Sequence, residues 1–282
     1  MSSILTNQGA LVALQTLKAT NTNLNKAQNE IATGLRVATA KDNSSSWSIA
    51  STMSSDINSL KTLSNSLTSA NAMVGTARSA AEGIGDIVKQ IQERVVQAQN
   101  PDADKAKLHA EIGQLADTIT SMANSAQYNG INLVNAAGGG AADQTLTVSI
   151  NRSAGGAVTP TTMVVASVDL TAVATALKAL TADADPATGI GGAAALGIVN
   201  TQLDTVNSAA AAFGAVQARV EAQSNFVSAQ VDALKLGVSA LVDANMEEAS
   251  ARLQALQTQQ QLGVQALSIA NQAPQSILAL FR

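Results

Sequence analysis

The sequence predicts a mainly α protein. Long antiparallel helices form a coiled-coil-like rod, the N- and C-terminal halves pair, and a small β-hairpin is inserted between them. Three observations predict this. Apolar residues recur at alternating steps of three and four along both halves. Aromatic residues make up only 2 % of the chain, while Ala, Ser, Thr, Asn and Gln dominate, so the helices carry small side chains suited to narrow packing rather than a thick core. Residues 136–191 change character, with glycine-rich stretches around two short apolar runs.

In chain order, the first seam runs through Ala10, Ala13, Leu17, Thr20, Leu24, Ala27 and Ile31, and Gly34 breaks it. A turn-rich stretch follows, in which Asp42 or Ser44 is the expected cap of the next helix. The longest seam then holds Met53, Ile57, Leu60, Leu67, Val74, Ala77, Ala81, Ile84, Val88, Ile91 and Val95, and lapses at Ser64 and Asn71. Asn100-Pro101-Asp102 reads as a stop and restart, with Pro101 at the first helical position. A shorter helix reaches Gln127, and Tyr128-Asn129-Gly130 is a turn.

Within the insert, Leu146–Ile150 and Met163–Val168 read as strands joined by a loop containing Pro160. A short helix covers Leu170–Leu180, and Asp183–Gly192 is a linker. Helix returns with Val199, Leu203, Val206, Ala210, Phe213, Val220, Val227, Val231, Leu234, Val238 and Leu241. Met246, Ala249, Leu253, Leu256, Gln260, Gly263, Leu267 and Ala270 continue the steps, and Pro274 is expected to kink or end the helix.

Charge is distributed unevenly. Leu253–Phe281 has no Asp, Glu, Lys or Arg, and Met1–Asn25 has only Lys18. Two amphipathic, charge-poor ends suggest surfaces meant for burial against protein. Eight glutamines in the C-terminal stretch argue against membrane insertion. A basic n-region followed by an apolar core is not visible at the start, so no signal peptide is expected. A net charge of −4 without a basic stripe argues against nucleic acid. Cysteine is absent, which excludes disulfides and thiol chemistry. The single histidine, His109, lacks a His-Glu-x-x-His pattern and reads as solvent-facing. Asp183 and Asp185 read as a solvated loop and Trp47 as packing. No enzyme activity and no cofactor is expected.

Residues 30–42, EIATGLRVATAKD, resemble the N-terminal signature of bacterial flagellins, roughly E-R-L-S-S-G-L-R-I-N-S-A-K-D-D. Residues 270–282, ANQAPQSILALFR, resemble the flagellin C-terminus, roughly A-N-Q-x-P-Q-x-x-L-x-L-L/F-R, and residues 127–130, QYNG, resemble a Q-F-N-G element. The likeness covers residues 1–135 and 195–282.

The resemblance implies a structural subunit of the flagellar filament, secreted through the flagellar type III apparatus and polymerising outside the cell into a hollow filament for motility. A hook–filament junction protein is the alternative. It implies that residues 1–42 and 243–282 form the inner core, 43–135 and 192–242 the long-helix outer core, and 136–191 a variable, solvent-facing insert. Leu11, Leu14, Leu17, Leu24, Ile31, Leu253, Leu256, Leu267, Ile277, Leu280 and Phe281 are the implied self-assembly residues. Gly34, Arg36, Lys41 and Asp42 are the implied joint between layers.

The implied partners are copies of this chain, the flagellar cap protein, hook-associated junction proteins and an export chaperone. Gln90–Asn100 resembles the stretch recognised by an innate Toll-like receptor. Glu93 and Glu111 match it, whereas Gln90 and Arg94 stand where strongly recognised flagellins carry Arg and Leu. One helix pair cannot bury every apolar position of the ends. Met1–Leu35 and Asp243–Arg282 are therefore expected to be mobile in the monomer and to fold on assembly.

Overall fold

A computed structural model describes residues 7–135, 143–153, 156–181 and 189–280, without the side chains of residues 193 and 273–280. The elements are α1 (Gln8–Thr33), α2 (Ser44–Ala98), α3 (Lys105–Ser125), the short strands β1 (Gln127–Tyr128) and β2 (Ile131–Asn132), β3 (Gln144–Arg152), β4 (Val158–Val165), α4 (Thr171–Ala179), α5 (Ala193–Val242) and α6 (Met246–Leu280). They form two compact units, Met1–Ile57 with Asp232–Arg282, and Asn58–Val231.

In the first unit, Asn7 caps α1 by accepting a hydrogen bond from the Ala10 N–H at 3.1 Å. Gly34 ends α1 at φ 71°, with its N–H donating to Glu30. A side chain there would carry the Cβ penalty of the left-handed region, which explains the glycine. α1 packs antiparallel on α6, because partners in α6 descend in number as those in α1 rise. Asn7 Nδ2 donates to Ala270 O at 2.7 Å, Gln260 Nε2 donates to Asn21 Oδ1 at 2.8 Å, and Leu24 and Ala27 bury against Leu256. The inward positions of α6 are Ala249, Leu253, Leu256, Gln260, Gly263, Leu267 and Ala270, as the periodicity predicts, whereas Met246, expected to begin this stripe, is exposed at the first position of the helix. Pro274 does not end α6, which is helical to Leu280. A proline removes one backbone bond per helix and need not stop it where the flanking turns hold.

The two chain breaks of this unit pair with each other. Leu35 and Asp243 form an antiparallel bridge, Arg36 and Val37 N–H groups both donate to Val242 O, and Ala244 N–H donates to Gly34 O at 2.9 Å. Val37, Ala50 and Val242 bury together beneath this clasp. α2 is capped by Asn43, whose Oδ1 accepts from the Ser46 N–H at 3.1 Å, and not by Asp42 or Ser44. Asp42 is unavailable because it accepts from Thr39 instead.

In the second unit α2 buries Leu60, Leu63, Leu67, Ala70, Val74, Ala77, Ala81, Ile84, Val88, Ile91, Val95 and Ala98, an unbroken alternation of three and four. From Val74 onward these residues belong to one large core cluster. The expected lapses at Ser64 and Asn71 do not occur, because Leu63 and Ala70, one position earlier, occupy the seam. α5 answers with Val199, Val206, Phe213, Val220 and Val227 at strict seven-residue intervals, all nearly solvent-free. This repeat, slightly shorter than two helical turns, is the mark of left-handed supercoiled packing. Polar rungs flank the seam, with Arg78 Nε donating to Gln217 Oε1 at 2.8 Å and Gln92 Nε2 to Asn200 Oδ1 at 2.6 Å.

α3 starts at Lys105, later than Pro101 suggested, because Asp104 is its N-cap and accepts from the Lys107 N–H. Its buried face, Ile112, Ala116, Ile119 and Ala123, joins the same cluster, as do Val173, Ala174 and Leu177 of α4. Lys178 of α4 is ion-paired with Asp117 of α3. Asn129 (φ 51°) and Gly130 (φ 81°) turn the chain between Tyr128 and Ile131, which pair. Positive φ at both central residues makes this a type I′ turn. Asn132 then reaches back and donates to Ala123 O at 2.7 Å, while its Oδ1 accepts from the Val134 N–H.

β3 and β4 pair antiparallel with an irregularity between Thr147 and Ser149. Pro160, expected in the connecting loop, lies in β4 opposite Ile150. Among the described residues this sheet has two strands, so each strand is an edge, where a missing N–H is tolerated. The strands extend beyond the predicted core at the turn side, and residues 166–168 lie outside β4. The glycines 138–140 and the pair Asp183 and Asp185 lie outside the described residues.

Candidate self-assembly surface

A helix pair buries one stripe of each helix. Apolar residues off that stripe stay in water unless something else covers them. In α1, Leu11, Val12 and Leu14 stand more than half exposed, one position away from the Ala10 and Ala13 of the seam. In α6, Leu262, Val264 and Ile269 do the same, and Ile269 is 69 % exposed. Leu262 and Ile269 are seven residues apart and share a face. Along these faces the only charged side chain from Asn7 to Asn25, or from Leu253 to Gln272, is Lys18. The outer surface of α6 is thus apolar and uncharged, that of α1 is apolar with Lys18 as its one charge, and the glutamines around them supply hydrogen bonds without fixed charge.

The residues singled out from the sequence separate into two groups. Leu17, Leu24, Ile31, Leu253, Leu256 and Leu267 are buried or half-buried, with Leu24 and Leu256 in the α1–α6 seam. Leu11 and Leu14 face outward. The side chains of Ile277 and Leu280, and all of Phe281, lie outside the described residues. Sequence reasoning missed Val12, Leu262, Val264 and Ile269, as well as Leu236 of α5, which is 72 % exposed. The available signal was apolar character off the heptad positions within a charge-free stretch.

At the clasp, Gly34 supplies the left-handed turn and Arg36 Nη2 donates to Leu241 O at 3.0 Å. Asp42 accepts from the Thr39 backbone N–H and hydroxyl, both at 2.9 Å, and these bonds hold its carboxyl below the usual carboxylate range. Lys41 is exposed beside it. The structure therefore brings Gly34 and Arg36 to the paired chain breaks and places Lys41 and Asp42 on the adjoining turn.

On α2, Gln90 and Glu93 are exposed and Arg94 is half-buried, its Nε 3.0 Å from Glu111 Oε2 on α3. His109 is less exposed than its sequence context suggests, and its Nε2 is shielded from solvent without a hydrogen-bond partner. Trp47 is partly open to solvent rather than fully packed. Among the described residues no group of three or more His, Cys, Asp or Glu could hold a metal ion, and no helix is long and apolar enough to cross a membrane.

Two family models match the chain: the bacterial flagellin N-terminal helical region over residues 4–138 and the bacterial flagellin C-terminal helical region over residues 196–281. A flagellin of Brucella melitensis is 42 % identical across the whole of both chains. Flagellin C of Rhizobium meliloti is 38 % identical over 81 % of this chain and 83 % of its own. Flagellin B of Rhizobium meliloti is 42 % identical over 56 % of this chain but only 40 % of its own length. A crystal structure of Bacillus cereus flagellin aligns at 21 % identity with a TM-score of 0.37, over 66 % of this chain and 93 % of that one.

Proposed function

The chain belongs to the bacterial flagellin family and is a structural subunit of the flagellar filament, and from that premise we propose which surfaces carry the assembly. It is a structural protein and not an enzyme. The outer faces of α1 and α6, with Leu11, Val12, Leu14, Leu262, Val264 and Ile269, are the contacts between copies. The single observation that supports this is the exposed apolar face on both helices, free of charge on α6 and carrying only Lys18 on α1. In a homopolymer a charge on such a face meets neighbours of its own kind, so a charge-poor face limits repulsion at every repeat.

In this reading, residues 1–42 and 243–282 form the inner core of the filament. Residues 43–135 and 192–242 form the outer core, and 136–191 faces solvent. The clasp of residues 34–37 with 242–244, flanked by Lys41 and Asp42, sets where the inner helices leave the outer ones. The chain leaves the cell through the flagellar export apparatus. The same charge-poor faces are what an export chaperone covers beforehand and what the cap and hook-associated junction proteins meet at the filament ends. No observation favours the hook–filament junction reading over the filament subunit.

The test is Ile269→Asp, a substitution at an exposed position that leaves the α1–α6 seam untouched. The variant is expected to keep the helical content of the parent and to form no filaments by sedimentation and negative-stain microscopy. Filament growth at the parent's concentration would overturn the assignment of this face.

A further inference from the structure

Asn129 is the only asparagine of the sequence that is followed by glycine. Both residues are exposed at the tip of the β1–β2 turn. Glycine has no Cβ to shield its amide nitrogen, so nothing in the side chains keeps that nitrogen from the neighbouring carboxamide. We propose that Asn129–Gly130 is a self-modification site, a succinimide-forming pair that the closed turn protects and the open chain exposes.

The chemistry needs only water. The Gly130 amide nitrogen gives its proton to solvent base and attacks Cγ of Asn129. That attack closes a five-membered ring through Cα, Cβ, Cγ, the Gly130 nitrogen and the Asn129 main-chain carbonyl carbon, and as the Cγ–Nδ2 bond breaks the leaving nitrogen takes a proton from water and departs as ammonia. Water then opens the ring at one of two carbonyls. Opening at Cγ leaves aspartate and the original main chain. Opening at the main-chain carbonyl leaves isoaspartate, with the chain rerouted through Cγ and one methylene longer. No electron acceptor is involved.

The turn decides when this happens. Ring closure requires the Gly130 nitrogen to lie on the same side of the Cα–C bond as Cβ. In a type I′ turn the first central residue has ψ of about +30°, the mirror of the type I value. With Asn129 at φ 51° in such a turn, the nitrogen is turned nearly opposite Cβ and cannot reach Cγ. Opening the hairpin releases that restraint.

The two products differ in what they do to the fold. The turn returns the chain so that Asn132 can bond Ala123 O at 2.7 Å and Asn124 O at 3.3 Å, which caps the C-terminus of α3. Asp-Gly makes the same turn type as Asn-Gly, so the aspartate product restores this cap. A two-residue loop fixes the register of its strands, and the extra methylene of isoaspartate breaks it. The isoaspartate content of residue 129 thus records time spent unfolded, in chains that can no longer close α3.

The experiment uses the full chain as folded monomer and in concentrated urea, both at mildly alkaline pH, with peptide mapping that resolves asparagine, aspartate and isoaspartate. Residue 129 is expected to convert before any other asparagine in urea, and more than about tenfold more slowly in the folded chain, because conversion there waits on local opening. Equal rates in the two states, or another asparagine converting first in urea, would overturn the proposal. An Asn129→Asp variant carries the charge without the methylene and is expected to fold with the Val134 amide protected from exchange as in the parent. Loss of that protection would place the damage in the charge and overturn the role given to the lengthened chain.

Discussion

Truncating Leu24 to alanine separates the seam of the α1–α6 pair from its outer face. Leu24 is 8 % exposed and packs with Ala27, Leu253 and Leu256. Buried Leu→Ala changes cost about 2–5 kcal/mol, and a two-helix seam collapses readily onto a vacated site, so the lower end, about 2 kcal/mol, applies here. If α1 and α6 order together as copies associate, that cost falls on polymerisation. At 1.4 kcal/mol per factor of ten, the critical concentration rises about 30-fold. The assay is sedimentation of filaments against total protein, paired with hydrogen exchange on the monomer. Amides of α1 in the free parent should exchange nearly as fast as those of an open chain and should not change in the variant. A critical concentration within about threefold of the parent's would refute the reasoning, since that is under 0.7 kcal/mol. Strong protection of α1 and α6 in free monomer would refute the coupling of their order to assembly.

Asn132→Ala leaves the Val134 N–H and the last carbonyls of α3 without their side-chain partner, at a cost of about 1–3 kcal/mol, which a lowered urea midpoint with unchanged slope will show. Asp104 caps α3, and the Lys107 ammonium, then the Lys107 backbone N–H, hold its carboxyl below the usual carboxylate value. Its folded pKa is lowered, so its contribution is complete above the ordinary aspartate value and is lost as pH falls through the lower folded one. Exchange of the Lys107 amide should accelerate over that window in the parent and not in Asp104→Asn, which keeps a cap that does not titrate. Arg94, engaged with Glu111, and Gln90 should weaken binding to the innate receptor, and reporter cells should respond less than to an enteric-type flagellin. An equal response would refute it.

Much of this protein was legible in the sequence because helical periodicity is local. The spacing of Leu60, Leu67, Val74 and Ala81, or of Val199, Val206 and Phe213, follows from 3.6 residues per turn and from which side chains water excludes. Asn129-Gly130 announced its turn for the same reason, since positive φ is a property of the residues themselves. Where local signals competed, the sequence was ambiguous. Asn43, Asp42 and Ser44 all suit a cap, and only the Thr39–Asp42 hydrogen bonds decide among them. Pro101 and Pro160 suit a helix start and a loop, yet the Asp104 cap and the free edge of a two-stranded sheet place them elsewhere.

What the sequence by itself determined, then, was the stripe each helix hides and the charge it withholds. Tertiary structure alone decided which partner fills each stripe. Leu17 lies on the stripe of α1 and Leu11 off it, and it is α6 that covers the one and not the other, because a helix of finite width shields only one face of its neighbour. The clasp of Leu35 with Asp243 joins residues far apart in the chain through backbone groups that no side-chain pattern reports. The surface available for copies of this protein is therefore the remainder of a packing problem, fixed only once the helices have met.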